Sequence, residues 1–199
     1  MEILFASSNK GKIGQFQFVA DSLGYPAKIV SVYEKFPEIK TPSEEHNSAD
    51  ELVAKNAKEI FEKAKMPVVI EDSTIEIEAF GKGPGVRSEK YLKEKKLTGL
   101  LEEMKGRISR KAKMVSTITH YNGSNMKILK NSVEGHIAEK ISFREGEPLW
   151  VGPFGGGFNA VFVHRKKKKT IADMTAEECL AYGYAEPNFR SVLKHIFGY

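Results

Sequence analysis

Glu71 and Asp72 stand side by side where an apolar run, Pro67-Val68-Val69-Ile70, ends and an alternating strand, Thr74–Phe80, begins. A strand edge fixes the direction of a carboxylate. Low-dielectric surroundings raise its pKa or favour a cationic partner, so adjacent acids at such a junction suit general-base work or a hard metal ion. A pair that merely solvates a strand end is the plainer alternative. The second group is Ser7-Ser8-Asn9-Lys10-Gly11-Lys12, between the short apolar strand Met1–Ala6 and a helical pattern with Ile13, Phe16, Val19 and Leu23 spaced by three and four. This loop brings backbone N–H groups, two hydroxyls, an amide and a lysine to a helix N-terminus, where partial positive charge favours phosphate. It lacks the Gly-x4-Gly-Lys-Ser/Thr spacing of a P-loop, and an ordinary capping turn with solvated lysines is its alternative.

The elements that must position these groups alternate through the first half, as in an α/β layer. A strand over 1–6 and a helix over 10–23, closed by Gly24 and Pro26, precede a strand near Lys28–Val32. A helix over 49–65 opens on Ser48-x-x-Glu51, a capping box, and presents Leu52, Val53, Ile60 and Phe61 on one face. Strands Val68–Ile70 and Thr74–Phe80, a Gly-Pro loop and a helix over 88–104 follow. The second half reads differently: strands Ala112–Tyr121 and Met126–Ile137 flank Asn122-Gly123, the strongest hairpin signal in the chain. A third strand is expected across Lys140–Arg144 and another at Val161–His164, with helix from Ala176 onward. Without repeats or a low-complexity linker, residues 1–199 read as a single domain of the α/β class (mixed α+β), built on a mixed sheet with two lobes.

Three motifs carry a family resemblance. The loop at Ser7–Lys12 resembles the Ser/Thr-x-Asn-x-x-Lys signature of the inosine triphosphate pyrophosphatase family, which hydrolyses non-standard purine nucleoside triphosphates. Glu71-Asp72-Ser73, followed by Ala79-Phe80-Gly81 and Gly83-Pro84-Gly85-Val86, is similar to its Glu/Asp-Asp-Ser-Gly-Leu segment and Pro-Gly-Val turn. Phe36-Pro37-Glu38-Ile39 resembles its Pro-Glu motif. The resemblance implies an elongated mixed sheet with a nucleotide cleft between two lobes, a homodimer, and cleavage of a triphosphate to monophosphate and pyrophosphate. It further implies magnesium, with manganese as a possible substitute, held by Glu38 and Asp72 with Glu71 nearby. Asp72 would also be the general base; Ser7, Ser8, Asn9 and Lys12 would hold the triphosphate, and Ser73 would reach a phosphate or a metal-bound water.

The base-reading segments depart from the pattern. Phe154-Gly155-Gly156-Gly157-Phe158-Asn159-Ala160 has asparagine and alanine where the family has aspartate and proline, and Cys179 stands where a lysine is expected. The family's Ser-His-Arg group is replaced by Tyr184-Ala185 or by Pro187-Asn188, depending on where a short insertion falls. Gln15 replaces a frequent glutamate, and Thr74 a glycine. Phe154, Gly155, Asn159 and Lys169 are the remaining expected substrate contacts. The departures imply altered or relaxed base choice, since discrimination depends on leaving mismatched polar groups unpaired.

Composition limits the alternatives. A net charge of +5 suits a polyphosphate ligand or nucleic acid, yet apart from Arg165–Lys169 the basic residues are interleaved with acids, and no RNP-like strand, zinc spacing or helix-turn-helix pattern accompanies them. The five histidines show no metal-ligand spacing. With no long apolar run, no secretory leader and the single Cys179, a cytoplasmic protein without a membrane span is expected. Two other classes stay open: a nucleotide-binding relative with little catalysis, and a basic nucleic-acid-binding protein that kept the fold.

Overall fold

The computed structural model describes residues 1–40, 48–142 and 157–198. In chain order it forms β1 (Glu2–Phe5), α1 (Lys10–Ser22), β2 (Lys28–Ser31), α2 (Val32–Lys35), α3 (Ala49–Ala64), β3 (Val68–Ile77), β4 (Gly83–Gly85) and α4 (Ser88–Glu103). Then come β5 (Lys111–Tyr121), β6 (Met126–Ile137), β7 (Phe162–His164), α5 (Ala176–Tyr182) and α6 (Glu186–Phe197). Local chemistry explains the boundaries. Asn9 caps α1, Gly24 leaves it at φ +72°, Ser48 Oγ accepts from the Glu51 N–H at the start of α3, and Thr175 with Glu178 forms a capping box on α5.

The strands join one mixed sheet in the order β2-β1-β3-β5-β6-β7, with β4 attached to β3. β1 runs parallel to β2 and β3, whereas β3, β5, β6 and β7 are antiparallel neighbours. The face carrying Phe5, Val69, Ile75 and Ile118 packs with Phe16 of α1 and Phe189 of α6. The opposite face, with Leu4, Val68 and Ile70, is covered by Leu52, Val53 and Ile60 of α3. These layers agree with the mixed α/β class expected from sequence.

Several expectations are corrected. Val68–Ile70 and Thr74–Phe80 are not two strands: β3 runs unbroken from Val68 to Ile77, because β5 pairs with every residue of it. Glu71 and Asp72 therefore lie inside a strand, and alternation turns them to opposite faces. By contrast, the Asn122-Gly123 hairpin forms with the expected strand ends, Asn122 Oδ1 accepting from the N–H groups of Ser124 and Asn125 in its loop. Lys140–Ser142 is not a strand, while the rest of that expected strand lies outside the described residues; β6 pairs instead with β7. The expected helix over 88–104 is broken at Lys96, whose φ of 57° is non-helical, and the C-terminal helical region divides at Gly183–Ala185.

One edge of β3 creates the site. β1 pairs there only as far as Phe5↔Val69, with a last bond from Ala6 N to Val69 O, and β4 takes over the same edge at Ile75. Residues 70–74 are left between two partners. Ile75 N donates to Ser88 Oγ at the far side of this gap, so the odd-numbered residues of the stretch turn their backbone groups toward it and the even-numbered ones toward β5.

Candidate active site

A cavity of about 460 Å³ opens at the gap and reaches both faces of the sheet. Ser7, Ser8, Asn9 and Lys12 line one end of it, where α1 begins. Asp72 enters from the α3 side together with Leu52 and Asn56; Glu71 and Ser73 enter from the other side with Gln15 and Tyr184. Phe158, Asn159 and Leu92 complete the lining. The cavity thus combines an anion-attracting loop, aromatic and amide groups, and a carboxylate.

Its electrostatics centre on Lys12. The ammonium lies 2.9 Å from Glu71 Oε2, with the lysine side chain 25% exposed and the carboxylate almost fully covered. Burial alone would push this ammonium down; Glu71, with Asp72 behind it, outweighs burial and holds it above the usual lysine range. Ser73 Oγ donates to Glu71 Oε1 at 2.7 Å. Next to this pair, burial and the Glu71 carboxylate push the Tyr184 phenol up, and its hydroxyl donates to Asn159 Oδ1. Beneath the cavity, Gln15 Nε2 donates to Glu186 Oε1 at 2.8 Å, joining residues 171 positions apart. Burial pushes the Glu186 carboxyl up to about 7, against the lowering effect of that hydrogen bond.

A family model described as the Ham1 family matches residues 3–183. The chain belongs to the Ham1 family. Among its relatives, the dITP/XTP pyrophosphatase of Bacillus subtilis (strain 168) is 28% identical over 185 residues, covering 89% of this chain and 87% of that protein. The dITP/XTP pyrophosphatase of Pyrococcus horikoshii is 30% identical over 179 residues, covering 89% and 87%. Solved structures share the fold: the Ham1 protein of Staphylococcus aureus gives a TM-score of 0.78 at 22% identity, covering 100% of this chain and 99% of that one. A HAM1 protein from Coxiella burnetii gives 0.80 at 19% identity, covering both chains completely. The family resemblance read from the three motifs therefore holds.

Within this Ham1 chain, Ser7, Ser8, Asn9, Lys12, Glu71, Asp72, Ser73 and Asn159 are all brought to the cavity. The loop differs from the expected cradle in one respect. Asn9 Oδ1 accepts from the N–H groups of Gly11 and Lys12, so two donors expected to face an anion are satisfied by the helix cap. Glu38 is exposed in the turn after α2 and is not part of the cavity lining. Lys169 also stands outside the lining: with Lys167 it pairs with Glu178, whose carboxyl the two lysines and the Thr175 backbone hold down at about 2. Phe154 and Gly155 lie outside the described residues. Arg165 pairs with Glu134, so three of the five cations in the basic run have acidic partners.

Among the described residues no cluster of three or more His, Cys, Asp or Glu could hold a metal. Magnesium does not need one: it keeps several waters and uses one or two carboxylates with substrate phosphates, a set that Asp72 beside the α1 loop can begin. Two contributors escaped the sequence reading. Asn56 lies four residues after Leu52 on the buried stripe of α3, and an amide on that stripe was the available signal. Tyr184 stands in a segment that replaces the family's Ser-His-Arg group, but its contact with Lys12 and Glu71 comes only from the fold.

Proposed function

We propose that this chain hydrolyses nucleoside triphosphates, including non-standard purine nucleotides, to monophosphate and pyrophosphate. The observation that carries this is the placement of Asp72 at the gap of β3, in one cavity with the phosphate-favouring start of α1 and with Phe158 and Asn159. The names of the curated relatives support the same chemistry. The loop Ser7–Lys12 would hold the triphosphate through its hydroxyls, remaining amides and the Lys12 ammonium. Asp72 would orient a water toward the α phosphorus and accept its proton as the bond to the β-phosphate oxygen breaks and pyrophosphate leaves. Magnesium, when bound, would neutralise the charge of the triphosphate, with Asp72 as its protein ligand in the cavity. A homodimer in the cytoplasm belongs to the same proposal, in keeping with the family and with Cys179 as a buried free thiol. Among the described residues no helix is long and apolar enough to cross a membrane.

Base choice follows from the polar side chains around Asn159, where the described lining offers Gln15, Tyr184, Ser88, Glu89 and Lys93 but no arginine or histidine. Loss of each charged hydrogen bond removes about 1.5–3 kcal/mol, a factor of about ten to more than a hundred in discrimination. Pyrophosphate release measured with magnesium on inosine, xanthosine, adenosine and guanosine triphosphates should give kcat/KM values within roughly ten-fold of one another. A preference of about a hundred-fold or more for inosine or xanthosine triphosphate would refute relaxed base choice. No release from any triphosphate would refute the hydrolase and leave a nucleotide-binding protein.

A further inference from the structure

We propose that Glu71 is a positioning residue for Lys12, holding its ammonium toward the phosphate end of the cavity, and that Glu71 takes no part in binding the metal. This rests on the pyrophosphatase reading above and changes the role that the motif implies for the first acid of the Glu-Asp pair.

Strand geometry separates the two acids. Residue 71 pairs with Ile118, on the face shared with α1 and α6, while residue 72 pairs with Thr117 and turns to the face covered by α3. Both oxygens of Glu71 are engaged on its own face: Oε1 accepts from Ser73 Oγ at 2.7 Å, and Oε2 lies 2.9 Å from Lys12 Nζ. The carboxylate is the covered member of the pair and the ammonium the accessible one, so the cation is what a ligand meets. An ammonium has three N–H donors, and the one directed at Glu71 leaves two for a phosphate. Lysine has a flexible four-carbon stem, so a fixed carboxylate behind it restricts where those donors point. Ser73 fixes the carboxylate in turn. Without Glu71, the remaining carboxylate acting on the ammonium is Asp72, on the other face of the strand.

A double-mutant cycle tests this by calorimetry with the α,β-methylene analogue of inosine triphosphate and magnesium, which needs no turnover. Lys12→Ala should weaken analogue binding by about ten-fold or more, and Glu71→Gln by about five- to ten-fold, with inosine monophosphate affected less than about two-fold. Combined with Lys12→Ala, the Glu71 substitution should add less than about two-fold, because its effect passes through the lysine. The magnesium concentration giving half-maximal analogue binding should stay within about two-fold of wild type in Glu71→Gln. Glu71→Asp keeps the charge but shortens the reach; it should fall between wild type and Glu71→Gln, and it replaces that variant if thermal melting shows Glu71→Gln to be unfolded. Additive losses, or a magnesium midpoint raised about ten-fold, would overturn the proposal and restore Glu71 as a ligand. Wild-type protein that binds the analogue but releases no pyrophosphate would count against the hydrolase alone, since the cycle still reads the role of Glu71.

Discussion

Asp72→Asn lowers kcat for pyrophosphate release by on the order of 100-fold or more, the scale of a lost general base, while the thermal midpoint stays near that of wild type. The amide matches the carboxylate in shape and remains on β3 opposite Thr117, so the sheet register has no reason to change. What disappears is the negative charge that would hold magnesium and the basicity that would take a proton from water. Because the charge is also part of the field on Lys12, triphosphate affinity should change much less than turnover. Initial rates at saturating substrate and magnesium, with a melting curve on the same sample, check both halves. A variant that retains near-native kcat would remove Asp72 from the chemistry.

Glu186→Gln should make the protein's stability less dependent on pH, with the largest difference on the alkaline side. Glu186 is 1% exposed, and burial raises its carboxyl from an ordinary 4.5 to about 7. An acid whose folded-state value is raised binds more protons when folded than when unfolded between those two values. Its favourable contribution is therefore complete below pH 4.5 and is lost as pH rises through about 7. The span corresponds to roughly 3 kcal/mol, present at pH 5 and largely gone by pH 8. Glutamine retains an acceptor for Gln15 and never has to ionise. Urea midpoints at the two pH values should show wild type losing ground to the variant as pH rises. An equal offset at both would mean that Glu186 does not titrate in this range. The close fit supports the choice of glutamine: a Cβ on Gly183 would lie 1.8 Å from Glu186 Oε2, so the pocket has no room for a bulkier substitute.

What was legible in the sequence was mainly local. The Asn9 cap, the Gly24 exit, the Ser48 start of α3 and the hairpin at Asn122 each depend on residues a few positions apart, and the apolar spacings of α1 and α3 identify their buried faces. The motifs also located Asp72 and the α1 loop, because their family spacing reflects a shared fold. Sequence could not show that the Glu-Asp pair sits in mid-strand, since the continuity of β3 comes from β5, some forty positions later. Nor could it show the base of the cavity. Gln15 meets Glu186, Tyr184 meets Asn159, and Asn188 Nδ2 donates to Ser116 O, all contacts between distant segments with no periodic signature. Glu38 and Lys169 show the converse: each has a motif context or a charge that suits a ligand, yet the fold leaves one exposed and ties the other to Glu178.

The gap in the edge of β3 makes the main chain part of the site. Glu71 and Ser73 turn their peptide N–H and C=O groups toward the space between β1 and β4, and those groups belong to the polymer, not to any side chain. Replacing either residue changes what projects above or below the sheet but leaves the donor along its edge in place; only proline would delete it. Side-chain scanning of this strand will therefore leave these main-chain hydrogen-bonding groups in place, independent of residue identity and of pH. The walls of the notch can diverge in sequence while the same alternating main-chain donors and acceptors remain between them.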